Sequence, residues 1–282
     1  MNGSGAEKTP ESSLSSGTVS EGTKQEQKAL TVVIGMDSRK PYVSLACARS
    51  IKRFTANRIP VEIMDTGLLR RVGVYFRQVE MRGRQAYDAI DGKPFSTDFS
   101  FSRFLVPALF GQSRQWVAFC DDDFLWRESP DGLIPLLDET KAVMVVKHDF
   151  NPSSGIKMDG QIQQPYKRKN WSSLILWNLR HPSNRSLTVG EVNSLPGSAL
   201  HGFGWLKDEE IGSLPERWNW LEGHSSVDIN PAAVHYTRGG PWLSAYRDSA
   251  FANEWLDVHF SSLNDIARDF GGRKTTILAY GL

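Results

Sequence analysis

The sequence predicts an α/β protein in which helices cover both faces of a mostly parallel central sheet. Short apolar runs rich in β-branched residues recur along the chain, and segments with helical spacing separate them. Strands that alternate with helices are typical of a parallel sheet, because each parallel connection needs a crossover that a helix usually supplies. Neither an internal repeat nor an interior linker interrupts the pattern, so we expect one domain over residues 29–282.

The first predicted strand covers residues 29–35 and ends at a glycine. Asp37 and Ser38 then stand where they can cap a helix. The apolar residues of this first helix, at helical spacing, are Val43, Cys47, Ile51 and Phe54. A second helix is predicted over 99–110. The remaining predicted strands cover 60–65, 115–120, 142–147, 171–177 and 232–236.

Residues 1–28 differ from the rest of the chain in composition. Their apolar residues are Met1, Ala6, Leu14 and Val19, and small, polar and charged residues fill most of the other positions. Such a segment buries too little apolar surface to offset its ordering entropy, so we predict a disordered tail. We favour a solubilising leader over a regulatory arm.

The overall composition excludes several classes of protein. With 33 basic and 32 acidic residues the net charge is +1, which argues against a mainly electrostatic nucleic-acid binder. The sequence has no apolar run of roughly 18 residues and no signal-peptide pattern, so we expect no transmembrane segment and a cytoplasmic location. Cys47 and Cys120 are too few for a disulfide framework or a structural zinc site.

Asp121, Asp122 and Asp123 interrupt an apolar run at the predicted carboxyl end of strand 115–120. Ligands bind at this edge of an open α/β sheet, and adjacent buried carboxylates need a compensating cation. Because side chains alternate along an extended chain, Asp121 and Asp123 point to the same side and can share one metal ion. Hard oxygen ligands favour Mg²⁺ or Mn²⁺. The alternative is a solvated acidic turn, which the apolar flanks disfavour.

A second signal lies at the end of the predicted strand 232–236. His235 could add an imidazole ligand to the same metal, and Gly239 and Gly240 would let the backbone approach a phosphate closely. Taken alone, a histidine at a strand end is more often a core residue than a ligand.

Together these segments resemble glycosyltransferase family 8, which consists of retaining, metal-dependent enzymes with the GT-A fold. The resemblance keeps one order along most of residues 29–245. Its segments are the opening strand with Asp37, the arginine-containing 102–107, the acidic 119–124, the strand 171–178, the stretch 214–219 and the terminus 235–242.

The resemblance implies transfer of a sugar from a nucleotide-diphosphate sugar, with uridine diphosphate as the expected carrier and retention of configuration. The acceptor would be a carbohydrate, a lipid-linked molecule or a protein. Mn²⁺ or Mg²⁺ would bind to Asp121, Asp123 and His235, and the catalytic set would be Asp121, Asp123 and Arg103. The implied donor contacts are Asp37, Arg103, Asp122, Ser172, Arg238, Gly239 and Gly240.

Two departures mark the chain as a divergent relative. Trp171 stands where the family has an asparagine, with Asn170 one place earlier, and Gly240 replaces a terminal lysine. Arg238 or the basic cluster 167–169 would then supply the missing cation. The alternative for the cluster is a solvated loop.

Two other functions are compatible with these patterns. A nucleotidyltransferase also uses carboxylate-bound magnesium, but the loop after the first strand lacks the glycine run that would hold a triphosphate. A catalytically silent carbohydrate-binding or scaffold protein could share the fold.

The chain has nine tryptophans, a generous number for its length. We expect those in the segments assigned to the cleft to pack against sugar rings. They are Trp116, Trp126, Trp171, Trp177, Trp218, Trp220 and Trp242.

Overall fold

The computed structural model of the chain describes Met1, Gly3 and residues 30–55, 58–111, 115–149, 155–156, 162–163 and 168–269. The tail predicted over 1–28 lies outside these residues, apart from Met1 and Gly3. The single domain over 29–282 stays a prediction.

The described residues form short strands, α-helices and 3-10 segments of three to seven residues. The strands are β1 Leu30–Met36, β2 Val61–Asp65, β3 Val79–Arg82, β4 Gln85–Asp88, β5 Pro94–Phe95, β6 Trp116–Cys120, β7 Phe124–Trp126, β8 Val143–Val145, β9 Gly155–Ile156, β10 Ile162–Gln163, β11 Leu174–Asn178, β12 Ile211–Ser213, β13 Trp220–Leu221 and β14 Ala233–His235. The α-helices are α1 Pro41–Thr55, α2 Thr66–Arg71, α3 Val106–Phe110, α4 Val189–Ser194, α5 Gly197–His201 and α6 Ala252–Asp269. The 3-10 turns are Ser102–Leu105, Pro130–Leu136, Trp171–Ser173, Pro182–Ser186, Asp208–Glu210, Glu216–Asn219 and Ser244–Tyr246.

The central sheet has six strands in the order β12-β8-β11-β6-β1-β2. β1 is parallel to β2 and β6, and β12 is parallel to β8, whereas β11 is antiparallel to both of its neighbours. The mostly parallel sheet that the sequence predicts is therefore confirmed. In the register of β1 and β6, Ile34 lies opposite Cys120, so both strands end at one edge of the sheet.

Both faces of this sheet are buried under helical segments, as predicted. Along β1, Val32 and Ile34 point to one side, where they pack with Cys47 and Ile51 of α1. Val33 points to the other side and joins the cluster that contains the 3-10 turn Ser102–Leu105 and Val106 of α3. The alternation follows from the two-residue period of a strand, which turns successive side chains to opposite faces.

A three-stranded sheet, β13-β14-β7, lies beside the central one. β14 is antiparallel to β7, and His235 pairs with Phe124. The buried hydroxyl of Ser50 accepts a hydrogen bond from the backbone N–H of Trp126 at 3.0 Å, which ties α1 to β7. The fold thereby joins two segments that are far apart in sequence, the acidic triplet and the end of β14.

Three of the predicted elements differ from the structure. Residues 99–110 contain a 3-10 turn and the five-residue helix α3 rather than one long helix. The predicted strand 171–177 begins with a 3-10 turn, and β11 covers Leu174–Asn178. Asp37 does not cap α1, which begins at Pro41, because its carboxylate accepts hydrogen bonds from the backbone and guanidinium of Arg39 instead.

Among the described residues, none of the helices is both long enough and apolar enough to cross a lipid bilayer.

Gly35 permits the tight packing of two phenylalanines against β1. A Cβ at this position would lie 2.5 Å from the ring of Phe99 and 2.9 Å from that of Phe119. Both rings are fully buried, so neither can move without disturbing the core. We expect Gly35→Ala to lower the free energy of unfolding by about 1–3 kcal/mol, measured by urea denaturation.

Gly190 provides the matched control for this substitution. A Cβ there would meet Thr188 Oγ1 at 3.7 Å, an ordinary contact, and the residue lies in α4. Gly190→Ala should leave stability unchanged or raise it, because alanine favours a helix more than glycine does. Equal stabilities of the two variants would contradict the packing argument.

Candidate functional site

The acidic triplet forms the tight connection between β6 and β7, two strands whose residues are all buried. Two backbone hydrogen bonds hold the connection in place. Asp121 donates its N–H to the carbonyl of Ser173 at 3.0 Å, and the N–H of Tyr236 donates to the carbonyl of Asp123 at 3.0 Å. The triplet is thus held between the start of β11 and the end of β14.

The side chains of Asp121 and Asp123 converge with that of His235. One ligand atom from each residue lies within 4.8 Å of the others, which is compatible with one bound ion. The alternation expected from the sequence is confirmed, because the carboxylate of Asp122 is turned away and faces Lys40 Nζ at 3.6 Å.

The ring of His235 is oriented by two neighbours. It stacks on Phe124, with 4.6 Å between the ring centroids, and its Nδ1 lies 2.9 Å from Asn219 Oδ1. The amide nitrogen of Asn219 donates to the carbonyl of Asn170 and to Ser173 Oγ, so Oδ1 is the atom that faces the imidazole. Nδ1 therefore carries a hydrogen, which leaves Nε2 as the ring nitrogen that can bind a metal ion.

Nε2 lies 3.4 Å from Asp123 Oδ1. A proton on Nε2, or a metal ion shared by the two atoms, would make this contact favourable. Two carboxylates and an imidazole are donors that suit Mn²⁺, and the carboxylates also suit Mg²⁺. The residues present therefore fit a divalent ion, and Asn219 occupies the supporting position that typically orients a histidine ligand.

Arg103 is hydrogen-bonded to the acidic cluster and lines the cleft that runs beside it. Its Nη1 donates to Asp121 Oδ1 at 2.6 Å and to the carbonyl of Ser172 at 2.7 Å. The guanidinium lies 5.3 Å from the ring centroid of Phe99 and 5.2 Å from that of Phe119. Arg103 thus offsets the charge of Asp121 in a partly apolar setting, a contact that the sequence did not predict.

Burial changes the proton affinity of two of the carboxyls. Burial raises the pKa of Asp121 to about 6, although the positive charge of Arg103 opposes the increase. Burial also raises the pKa of Asp122 well above its ordinary value, and Lys40 offsets part of this effect. These carboxyls therefore hold protons at a higher pH than exposed aspartates do.

Two clefts meet at Asp123. The first cleft runs along Asp121, Asp123 and His235, the candidate metal ligands. Its other wall includes Lys169, Asn170, Ser172, Gly197, Ser198 and His201. The second opens on the β1–α1 side. Its lining includes Asp37, Lys40, Tyr42, Arg238, Gly239 and Trp242.

The first cleft contains a predicted residue, Ser172, together with a histidine that the sequence did not single out. Ser172 Oγ lies 2.8 Å from Nδ1 of His201. Burial and the positive charges of Arg103 and Arg77 keep the pKa of His201 well below its usual range, so the ring is neutral. Lys169 is 4% exposed and lines the same cleft, while Lys167 lies outside the described residues. Arg168 instead binds Asp208 and the carbonyl of Gly202.

The second cleft contains most of the other predicted donor contacts. Asp37 and Gly239 line it, and so does Arg238, which donates to Glu222 Oε2 at 3.0 Å. Gly240 is buried, and a Cβ on it would overlap the ring of Trp242. Its missing side chain therefore makes room for a tryptophan. Asp122 is 1% exposed and turned towards Lys40, so no surface of it is offered to a ligand in this conformation.

The expectation that tryptophans line the cleft is largely wrong. The side chains of Trp116, Trp126 and Trp177 are fully buried in the core. Trp218 and Trp220 are buried as well, whereas Trp242 lines the second cleft. Large apolar rings stabilise a core by area alone, and their position in sequence near a site does not tell which way they point.

Sequence reasoning missed Lys40, Asn219 and His201 as site residues. Asn219 ends a stretch that resembles a family motif, so this resemblance was a signal for it. Lys40 and His201 had no local signal. Their proximity to the site results from contacts between distant segments.

The fold is that of GT-A-type glycosyltransferases. The chain is similar to the bifunctional glycosyltransferase WbbM, with 14% identity and a TM-score of 0.55 over 82% of this chain and 50% of that chain. It is also similar to the glycosyltransferase GlyE of Streptococcus pneumoniae, with 15% identity and a TM-score of 0.53 over 86% of this chain and 64% of that chain. The chain thus spans half of WbbM and less than two thirds of GlyE. No protein-family model matches the sequence.

A curated relative shows a much higher sequence similarity. Protein CDI of Arabidopsis thaliana is 43% identical over 239 residues, which cover 82% of this chain and 86% of the relative. The chain belongs to the family of Protein CDI.

The pKa of Asp121 predicts that metal binding depends on pH. A divalent ion must displace the proton of this carboxyl, so its affinity falls as the pH drops below about 6. We expect Mn²⁺ to bind at least about tenfold more weakly at pH 5 than at pH 7.5, measured by electron paramagnetic resonance titration.

Arg103→Met serves to assign this pH dependence to Asp121. Because Arg103 lowers the pKa of Asp121, its removal should move the loss of Mn²⁺ affinity to higher pH. An affinity that stays constant between pH 7.5 and 5, or a midpoint that does not move in the variant, would contradict the assignment.

Proposed function

We propose that the protein is a metal-dependent glycosyltransferase that takes a sugar from a nucleotide-diphosphate sugar. One observation carries the proposal: Asp121, Asp123 and His235 converge at the carboxyl edge of the central sheet, in a protein with a glycosyltransferase fold. The fold alone is compatible with many activities. This convergence adds a ligand set at the edge where such sheets bind their ligands.

In this proposal Asp121, Asp123 and His235 hold Mn²⁺ or Mg²⁺. When bound, the ion would neutralise the negative charge that develops on the diphosphate leaving group. Asn219 orients the imidazole, and Arg103 holds Asp121 in place through its hydrogen bond of 2.6 Å. The geometry assigns no nucleophile to the protein.

The two clefts suggest how a donor would be accommodated. The second cleft has the backbone of Gly239 in its lining together with the cations Lys40 and Arg238, which suit a diphosphate. The first cleft contains Lys169, Ser172 and the neutral His201, which suit the hydroxyls of a sugar. Asp123 lies between the two clefts, where the bond to be broken would be placed.

Several finer points remain predictions of the sequence. They are the uridine diphosphate carrier, the acceptor class, retention of configuration, the membership of glycosyltransferase family 8 and the cytoplasmic location.

Asp123→Asn tests the proposal. The substitution removes a charged metal ligand but keeps the shape of the side chain, so nucleotide-sugar cleavage should fall by at least about a hundredfold. The measurement is nucleoside diphosphate release from a panel of UDP-, GDP- and ADP-sugars with Mn²⁺ present or absent.

Asp228→Asn is the matched control, because Asp228 is an exposed acid in a surface turn that contacts Ser226. It should retain wild-type turnover. Undiminished Mn²⁺-dependent release by Asp123→Asn would refute the assigned site. If no nucleotide sugar is cleaved by the wild-type protein or raises its melting temperature, the silent scaffold is favoured instead.

A further inference from the structure

We infer that Lys40 is the side chain that binds the diphosphate of the donor in the second cleft. The inference rests on the proposed function and adds to it a residue from the β1–α1 loop, at the opposite end of the chain from the glycine loop at 239–240.

Lys40 reaches the cleft next to the acidic triplet. Its Nζ lies 3.6 Å from Asp122 Oδ1 and 5.4 Å from the centroid of the Trp242 ring. The side chain lines the same cleft as Asp123 and Gly239. The ammonium therefore shares this cleft with Asp123, a proposed metal ligand, and with the backbone of Gly239.

The other cations that line this cleft already have carboxylate partners at hydrogen-bond distance. Arg39 Nε donates to Asp37 Oδ1 at 2.8 Å, and Arg238 Nη2 donates to Glu222 Oε2 at 3.0 Å. Lys40 differs from both, because its distance of 3.6 Å to Asp122 is longer than a hydrogen bond.

Asp122 attracts the Lys40 ammonium without forming a hydrogen bond to it, so the N–H groups of Lys40 are available to a ligand. Both carboxylate oxygens of Asp122 are buried and have no hydrogen-bond partner among the described residues. The Lys40 ammonium offsets part of the cost of burying this carboxyl, and the pairing keeps Lys40 at the site. An ammonium has three hydrogens, and a quarter of the Lys40 side chain remains exposed to the cleft.

Trp242 completes the support of this lysine. Its ring is 9% exposed and occupies the space that a Cβ of Gly240 would fill. The aromatic ring attracts the ammonium electrostatically. The glycine therefore contributes indirectly, since it allows the tryptophan to pack beneath the lysine.

This arrangement suits a diphosphate better than a neutral ligand. A metal-bound diphosphate keeps negative charge on its remaining oxygens, and a second cation beside the metal can donate charge-assisted hydrogen bonds to them. Lys40 is therefore a binding residue for the leaving group, and its effect should be visible with the diphosphate alone.

The experiment compares two variants that share the substitution Asp122→Asn. Removing Lys40 alone would leave Asp122 buried without its cation, which by itself destabilises the protein. In the Asp122→Asn background this cost is absent, so adding Lys40→Met tests binding rather than folding. Thermal melting should give similar midpoints for the single and the double variant.

The probe is inorganic pyrophosphate with Mg²⁺, measured by isothermal titration calorimetry. We expect Asp122→Asn to bind it and Asp122→Asn with Lys40→Met to bind it at least about tenfold more weakly, the usual effect of one charge-assisted hydrogen bond. Mn²⁺ alone should bind the double variant no more weakly than the single one, because the candidate ligands are Asp121, Asp123 and His235, and the substitution removes a positive charge near them.

Lys52→Met in the same background is the matched control. Lys52 is exposed in the last turn of α1, and its loss should leave pyrophosphate affinity unchanged. Equal affinities with and without Lys40 would overturn this inference and leave the proposed function standing. If the wild-type protein with Mg²⁺ binds neither pyrophosphate nor any nucleotide sugar, the proposed function fails and this inference fails with it.

Discussion

The site is governed by the cost of burying several carboxylates at one edge of the sheet. A carboxylate removed from water must find a cation or hold a proton. The structure gives each one its own partner: Asp37 binds Arg39, Asp121 binds Arg103, Asp122 faces Lys40, and Asp123 faces His235. The last pair differs, because Nε2 of His235 and the Asp123 oxygen lie 3.4 Å apart and, together with Asp121, can hold one metal ion.

The fold supplies these partners by bringing separate segments to one place. The ladder between β14 and β7 sets His235 opposite Phe124, one residue after Asp123. The 3-10 turn Ser102–Leu105 places Arg103 beneath Asp121, and the parallel pairing of β1 with β6 brings the β1–α1 loop and Lys40 to the same edge. A glycosyltransferase fold and a possible metal cluster thus coincide at the edge of the sheet where ligands bind.

The sequence predicted well those features that depend on local pattern. The apolar runs became β1, β2, β6, β8 and β14 within one or two residues, because a buried strand requires continuous apolar side chains. The helix expected over 99–110 was wrong in its length. Proline stands at the second position of α3, where it is tolerated, and the helix ends at Gly111 after a single turn and a half. The tryptophans were placed wrongly, because sequence position does not reveal which face of the core receives a ring.

The sequence by itself determined the mostly parallel sheet, the edge that carries the acidic triplet, and the opposite directions of Asp122 and its two neighbours. Alternation along an extended chain is a local property, so these conclusions needed no tertiary information. Only the tertiary structure decided which cation meets which carboxylate. Arg103 turned to Asp121, Lys40 to Asp122, and Gly240 made room for Trp242. Charge pairing depends on distances in space between segments that are remote in sequence, and packing alone sets those distances.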